Sequence, residues 1–535
     1  MAHGLPSMAY SDGIKKYKQT DFKGYNHNLS AQDGELWDMK NLTSDYYPLL
    51  SPRRPRYLYT TLTTPNGFYA KDGLYWVDET GFYADGVLKG TVTNDRKIMT
   101  GMGAYIIILP DKKYYNHLTD EFGSLEASWS GSAKIQDGTY AEEEAEANTI
   151  YSAGANWGNI FSEGDAVTIA GATTHTGNNQ TIIIREIDGD YLRFYENSFT
   201  INEGGDTENL TISRDVPDMD FICENENRLW GCKEDTIYSS KLGDPFNWNV
   251  FDGLSTDSYA VNVGSAGDFT ACVSYLGYPV FFKEENIYKV YGDKPSNYQV
   301  MGSASLGVET GSHMSPAIAG EVLFYLSRAG VVAYSGGIPE SVAAPFGVER
   351  YKNAVGGSDG IKYYISMENS QGSYDLFVFD TRTSLWHKED DLEAVGFGWN
   401  TELYFLSADG KLWINGNART VPESATSEGA VESVAEFGDF VEDDPNKKGT
   451  AKIQIRIELD AGAQVKFYMQ FDSDEVWREV TTLTATVKRS FYLPIIPRRS
   501  DHFQIKITGT GGWRLYSLVR ESYSGSELKS TPGRQ

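Results

Sequence analysis

Seven histidines, three cysteines and 74 acidic residues are the side chains in this 535-residue sequence from which acid–base, metal or nucleophilic chemistry would be built. The histidines are scattered and form no ligand cluster. Eight residues separate Cys223 from Cys232, and no second pair stands at zinc spacing. With Cys272 they read as small core residues. Three cysteines make no disulfide framework, and the count fits a protein folded in a reducing cytoplasm. No Walker A loop, GxSxG elbow or HExxH helix is present. The acidic runs Glu142-Glu143-Glu144 and Glu442-Asp443-Asp444 lack the DxDxDG pattern of a calcium loop and read as solvated loops. No metal, cofactor or catalytic residue is expected.

Glycoside hydrolysis needs two carboxylates at a fixed separation in a cleft, and acidic residues are plentiful here. Ser407-Ala408-Asp409-Gly410-Lys411-Leu412-Trp413 is similar to the turn of an Asp box, a motif of sialidase-type propellers. That turn is itself structural, because its Asp bonds backbone amides and its Trp packs under a blade. It occurs once, without an arginine triad. Trp129, Trp157 and Trp477 are the candidate rings for stacking on a sugar, although the usual place of a Trp is in a core.

The cations are few and clustered. Arg53, Arg54 and Arg56 close the N-terminal segment, Lys447 and Lys448 form a pair, and Lys488, Arg489, Arg498 and Arg499 bracket the sequence FYLPIIP. With 47 Lys and Arg against 74 Asp and Glu, the net charge is −27. A uniformly basic nucleic-acid coat is excluded, since neutralising phosphates needs clustered cations. The clusters are better suited to acidic surfaces of other subunits than to DNA.

The elements that must carry these residues are strands. Thirty-five Tyr, 54 Gly and 11 Trp suit short strands joined by tight turns. Helical pattern is nearly absent; Ala141–Ala147 (AEEEAEA) is the one helix-prone stretch, equally readable as a solvated loop. The expected fold is all-β, a β-propeller with an inserted small β-domain and a C-terminal β-sandwich. Residues 1–56 read as an extended arm, polar and rich in Pro towards its end. Residues 57–425 carry a recurring hairpin signature, as in GFYAKDGLYWV (67–77), NRLWGCKEDTIYS (227–239), YPVFFKEENIYKV (278–290), VLFYLSRAGVVAY (322–334) and ELYFLSADGKLWI (402–414). The spacing of about 40–50 residues is that of a four-stranded blade, and five or six blades are expected. Residues 127–216 interrupt the rhythm with strands at 166–169, 180–187 and 191–195, expected as an inserted barrel or sandwich. Residues 426–522 alternate cleanly and predict a sandwich; 523–535 are expected to be a disordered tail. No apolar run approaches the ~20 residues of a membrane helix, and the N-terminus lacks the pattern of a secretion signal.

Several of these segments, in this order, resemble the β-propeller nozzle and packaged-DNA stabilisation (tail hub) proteins of short-tailed bacteriophages. The likeness lies in Asn227-Arg228-Leu229-Trp230 and the glycine after it, the turn Gly243-Asp244-Pro245 with Trp248, the KEENIY hairpin (283–288) followed by Ser305-Leu306-Gly307, and Ser327-Arg328-Ala329-Gly330 running on to Tyr334. It covers residues 220–350 well, 30–56 and 445–520 more loosely, and the insertion not at all. The resemblance implies a virion structural protein assembled in the host cytoplasm. Copies would form a ring, usually of six, below the portal and adaptor, contacting other tail proteins and, transiently, the packaged double-stranded DNA. The motifs mark blades, not a reaction. The alternatives are a distal tail protein that binds host surface glycans, and a propeller glycosidase or lectin.

Overall fold

The structure is a computed structural model that describes residues 14–28, 32–140, 143–416, 419–442 and 447–524. The chain is all-β, with four single-turn 3₁₀ segments among the described residues. Apolar strand positions, broken by Gly, Asn and Asp at turns, produce six four-stranded antiparallel sheets and a seventh of five strands within residues 57–427. We number them blades 1 to 7: 65–91, 98–124, 221–262, 271–304, 317–341, 352–388, and 394–415 completed by Tyr57–Thr61. The first strands of neighbouring blades pack on one another, with blade 7 returning to blade 1. Between blades 4 and 5 the junction is a core that joins Tyr275, Val280 and Phe282 to Leu323, Tyr325 and Val332. The array is propeller-like, and the number of sheets exceeds the five or six expected.

Tyr57–Thr61 is the fourth strand of blade 7, with only the short Thr426–Ser427 outside it. It runs antiparallel to Lys411–Asn415, with Lys411 opposite Thr61, and so ties the start of the array to its end. Between blades 2 and 3 the chain leaves to form a single curled seven-stranded sheet from 127 to 214 around Trp157, Phe161, Phe194 and Ile212. Two details differ from expectation. The run 180–187 is two short strands, Thr181–Ile183 and Glu186–Asp188, separated by a bend. The helix-prone stretch is the start of a strand, Glu143–Tyr151, held by pairing to Ala127–Tyr140; its first two residues lie outside the described residues.

From Ile14 on, the described residues of the N-terminal segment pack on the chain's own body. Lys15–Gln19 pairs with Trp513–Ser524, and Glu35–Lys40 pairs with Glu432–Phe437, so both sheets of the C-terminal sandwich contain N-terminal strands. Gly24–Tyr25 lies along Leu385–Lys388 of blade 6; a Cβ on Gly24 would strike the Trp386 carbonyl. One core runs from the sandwich (Ile455, Phe467, Ile507, Leu515) through Tyr25 and Phe346 into blades 5 and 6 (Leu326, Phe377, Trp386). Burial of side chains this large is worth about 1.5–3 kcal/mol each, so sandwich and array are welded into one body. Of the expected tail, Tyr523 and Ser524 belong to the last strand, and 525–535 lie outside the described residues.

Candidate functional site

The motif residues of blades 3 to 5 are held by turns and inter-blade contacts. Asn227, at φ 58°, turns the first hairpin of blade 3; its amide donates to Glu224 and its carbonyl accepts from Gly243, itself at φ 74°. Arg228 is buried, and its guanidinium donates to the carbonyls of Ser240 (2.8 Å), Asp257 (2.6 Å) and Ser255 (2.8 Å). It thereby pins the long loop between the last two strands of blade 3. Leu229 and Trp230 are core residues, and Trp230 packs against Phe281 and Tyr298 of blade 4.

In the next turn Asp244 accepts from Phe246 N (2.9 Å) and Asn247 Nδ2 (2.7 Å), while Trp248 donates to the Pro245 carbonyl (3.0 Å) and packs on blade 2. Asn247 also donates to Asp165 (3.0 Å), which is ion-paired with Arg214 (2.5 Å). The turn therefore fastens the inserted sheet to the array.

In blade 5 Ser327 Oγ donates to the Gly330 carbonyl (2.8 Å), and Gly330 sits at φ 100°, the left-handed region that favours glycine. Arg328 is half exposed and pairs with Glu285 of blade 4. Tyr334 is buried beneath Lys289 Nζ, 5.3 Å from its ring centroid.

The arginines that close the N-terminal segment are divided. Arg53 and Arg56 are buried, which removes them from any subunit surface. Arg56 pairs with Glu389 (2.5 Å) and Asp390 (2.6 Å); Arg53 pairs with Glu428 and donates to Asn41 (2.8 Å). Burial alone would lower the Arg56 pKa, but the two carboxylates raise it above its ordinary value. Arg54 is exposed beside a 290 Å³ cavity that Asp45, Lys362 and Arg382 also line. Lys488, Arg489, Arg498 and Arg499 are all exposed on one edge of the sandwich. Of the two lysines ahead of them, Lys447 is exposed and Lys448 is buried.

The candidate sugar-stacking tryptophans do not converge. Trp157 is wholly buried in the inserted sheet with Trp129 against it at 4.6 Å, and Trp477 lies on the sandwich under Lys506. A cleft the sequence did not reveal lies between the inserted sheet and the array. It has a volume of about 740 Å³ and is lined by Tyr105, Tyr114, Phe161, Phe246, Glu126 and Glu163. The Gly243-Asp244-Pro245 turn lines it, but no local pattern brings that turn to the other segments of its walls, near residues 105–128, 158–165 and 214. The Asp-box-like turn is local structure: Ser407 bonds Asp409 and the Lys411 carbonyl. The three thiols gather at the junction of blades 3 and 4; the Cys272 thiol and then burial push the Cys223 pKa up, and burial pushes up those of Cys232 and Cys272. Asp472, Asp501 and His502 come together on the sandwich at metal-ligand spacing, all partly exposed. No helix among the described residues is long and apolar enough to cross a membrane.

No protein-family model matches the chain, and no curated protein matches it. Among solved structures, U3-55K is 7% identical at a TM-score of 0.33, covering 67% of this chain and 97% of its own. Raptor of Chaetomium thermophilum is 12% identical at a TM-score of 0.32, over 69% of this chain and 29% of its own. An exo-β-1,3-galactanase of Phanerochaete chrysosporium is 8% identical at a TM-score of 0.22, over 56% of this chain and 94% of its own. At these TM-scores the likenesses carry no argument about this chain.

Proposed function

We propose that this chain is a non-enzymatic structural subunit of a bacteriophage tail, of the nozzle or hub type it resembles. Copies form a ring, six in that family's usual arrangement, which extends the DNA channel below the portal and adaptor and helps retain and eject the packaged genome. The observation that carries this reading is the use made of the shared motif. Arg228, Trp248, Ser327, Arg328 and Tyr334 serve turn geometry and contact between blades, so what the motif specifies is a rigid wall. The welded sandwich adds to that rigidity, and a net charge of −27 suits a conduit along which like-charged DNA slides without sticking. Imaging of the purified chain tests the reading: closed rings with a central bore are expected, and a free monomer that turns over polysaccharide overturns it.

A second reading, glycan binding at the distal end of a tail, is favoured by the aromatic and carboxylate lining of the 740 Å³ cleft. Retention of soluble oligosaccharides that is lost in Tyr105→Ala and Phe246→Ala would support it.

A further inference from the structure

Two open strand edges of opposite charge lie on different domains of this chain. The first is Arg489–Tyr492, the last strand of one sandwich sheet. Its inner side pairs with Lys448–Leu459 and its outer side has no strand partner among the described residues. Around it Val487, Tyr492 and Ile496 are 63%, 66% and 86% exposed. Lys488 rests on the Tyr516 ring, Arg489 lies over Phe491, and Arg499 donates to the Lys447 carbonyl. Among the described residues none of these three cations meets a carboxylate, in a chain with 27 more acids than bases. Pro494 and Pro497, which lack N–H donors, confine the open ladder to about four residues.

The second edge is the start of Glu143–Tyr151 in the inserted sheet. On one side Glu143 and Glu144 face Tyr140 and Thr139. On the other side, among the described residues, the neighbouring strand pairs with Thr149–Tyr151 and the next loop reaches back to the Glu146 carbonyl and no further. Glu143, Glu144 and Glu146 are exposed and form no ion pair among the described residues.

Within one molecule the two edges do not pair: the inserted sheet leaves the array between blades 2 and 3, and the sandwich shares a core with blades 5 and 6. Exposed backbone on a strand edge recruits another strand. Like-charged edges repel each other, so each edge selects the opposite one.

We infer that the acidic edge at Glu143–Glu146 of one copy adds to the basic edge Arg489–Tyr492 of the next, with Ile496 and Val487 covered at the contact. The contact joins two different surfaces, so it is heterologous and propagates head to tail, closing into a ring when the rotation permits. This rests on the proposed assembly of like copies and names the surfaces that make it.

The test is a charge swap in the full chain, read by native mass spectrometry across a dilution series. Lys488→Glu, Arg489→Glu and Arg499→Glu together weaken assembly by about tenfold or more, as do Glu143→Lys, Glu144→Lys and Glu146→Lys together. All six substitutions combined restore assembly, which unfolding of either edge would not allow. Wild-type association that is unchanged by either set, or not restored by the combination, overturns the pairing and leaves the ring standing. A wild-type chain that stays monomeric throughout the series overturns both.

Discussion

Arg56 and Asp390, 334 residues apart in the chain, form an ion pair of 2.6 Å, and the same guanidinium reaches Glu389 at 2.5 Å. The pair joins the segment that enters blade 7 to the chain leaving blade 6. Burial would raise the Asp390 pKa, yet Arg56 and Arg53 hold it below the usual carboxylate range. Arg56→Met would leave Glu389 and Asp390 buried with only the more distant Arg53, at 3.8 and 3.6 Å, and a loss of about 3 kcal/mol is expected in urea unfolding. Adding Glu389→Gln and Asp390→Asn should recover much of it. A loss below about 1 kcal/mol in the single variant would show that the network is not what fastens this junction.

Arg228 is the second internal fastening. Its guanidinium serves three carbonyls in fixed directions, which a lysine ammonium cannot reproduce. Arg228→Lys is expected to cost about 2–3 kcal/mol and to raise amide exchange across 240–258 first. Unchanged exchange in that loop would contradict the assignment.

Acid should loosen the weld between sandwich and array. His387 is buried against the N-terminal segment, and burial, reinforced by the charge of Lys362, lowers its pKa from 6.5 to about 4, against the smaller opposing pull of Asp380 and Asp45. A base with a depressed folded pKa is neutral in the fold while the unfolded chain already takes up a proton. Stability is therefore full above pH 6.5 and falls as pH drops towards 4, by up to about 3 kcal/mol from this group. The urea midpoint measured from pH 7.5 to 4.5 should decline, with a shallower decline in His387→Phe. Parallel pH profiles for the two proteins would contradict it.

Gly307 follows blade 4 at a place where a Cβ would run into the Lys283 carbonyl oxygen, whereas at Gly264 a Cβ meets open space. Gly307→Ala should cost about 2 kcal/mol or more, and Gly264→Ala less than about 0.5 kcal/mol. Equal thermal midpoints for the two variants would mean that backbone contact does not set the spacing there.

Much of this architecture is legible in the sequence because hairpins are local. Apolar runs broken by a polar Gly-containing turn mark Val322–Ser327 with Gly330–Tyr334, and Glu402–Ser407 with Lys411–Asn415, before any long-range contact is known. Blade 2 escapes notice because its buried run Ile106–Leu109 is followed by a short strand, Lys113–Asn116, whose two polar ends weaken the second half of the hairpin pattern. The N-terminal strands escape for a different reason: Lys15–Gln19 owes its conformation to Trp513–Ser524, nearly 500 residues away, and no local signal encodes such a partner. The same holds for Arg53 and Arg56, whose run of cations reads as a surface until Glu389, Asp390 and Glu428 are brought to it. The basic edge at 488–499 lies exposed because Arg489–Tyr492 is the end strand of its sheet, with no strand of this chain on its outer side among the described residues.

The ring is tested most directly by the mass and image of the purified full chain. A discrete oligomer of identical copies around a central bore, weakening as salt rises, is the expected result. A monomer at every concentration and ionic strength would contradict it.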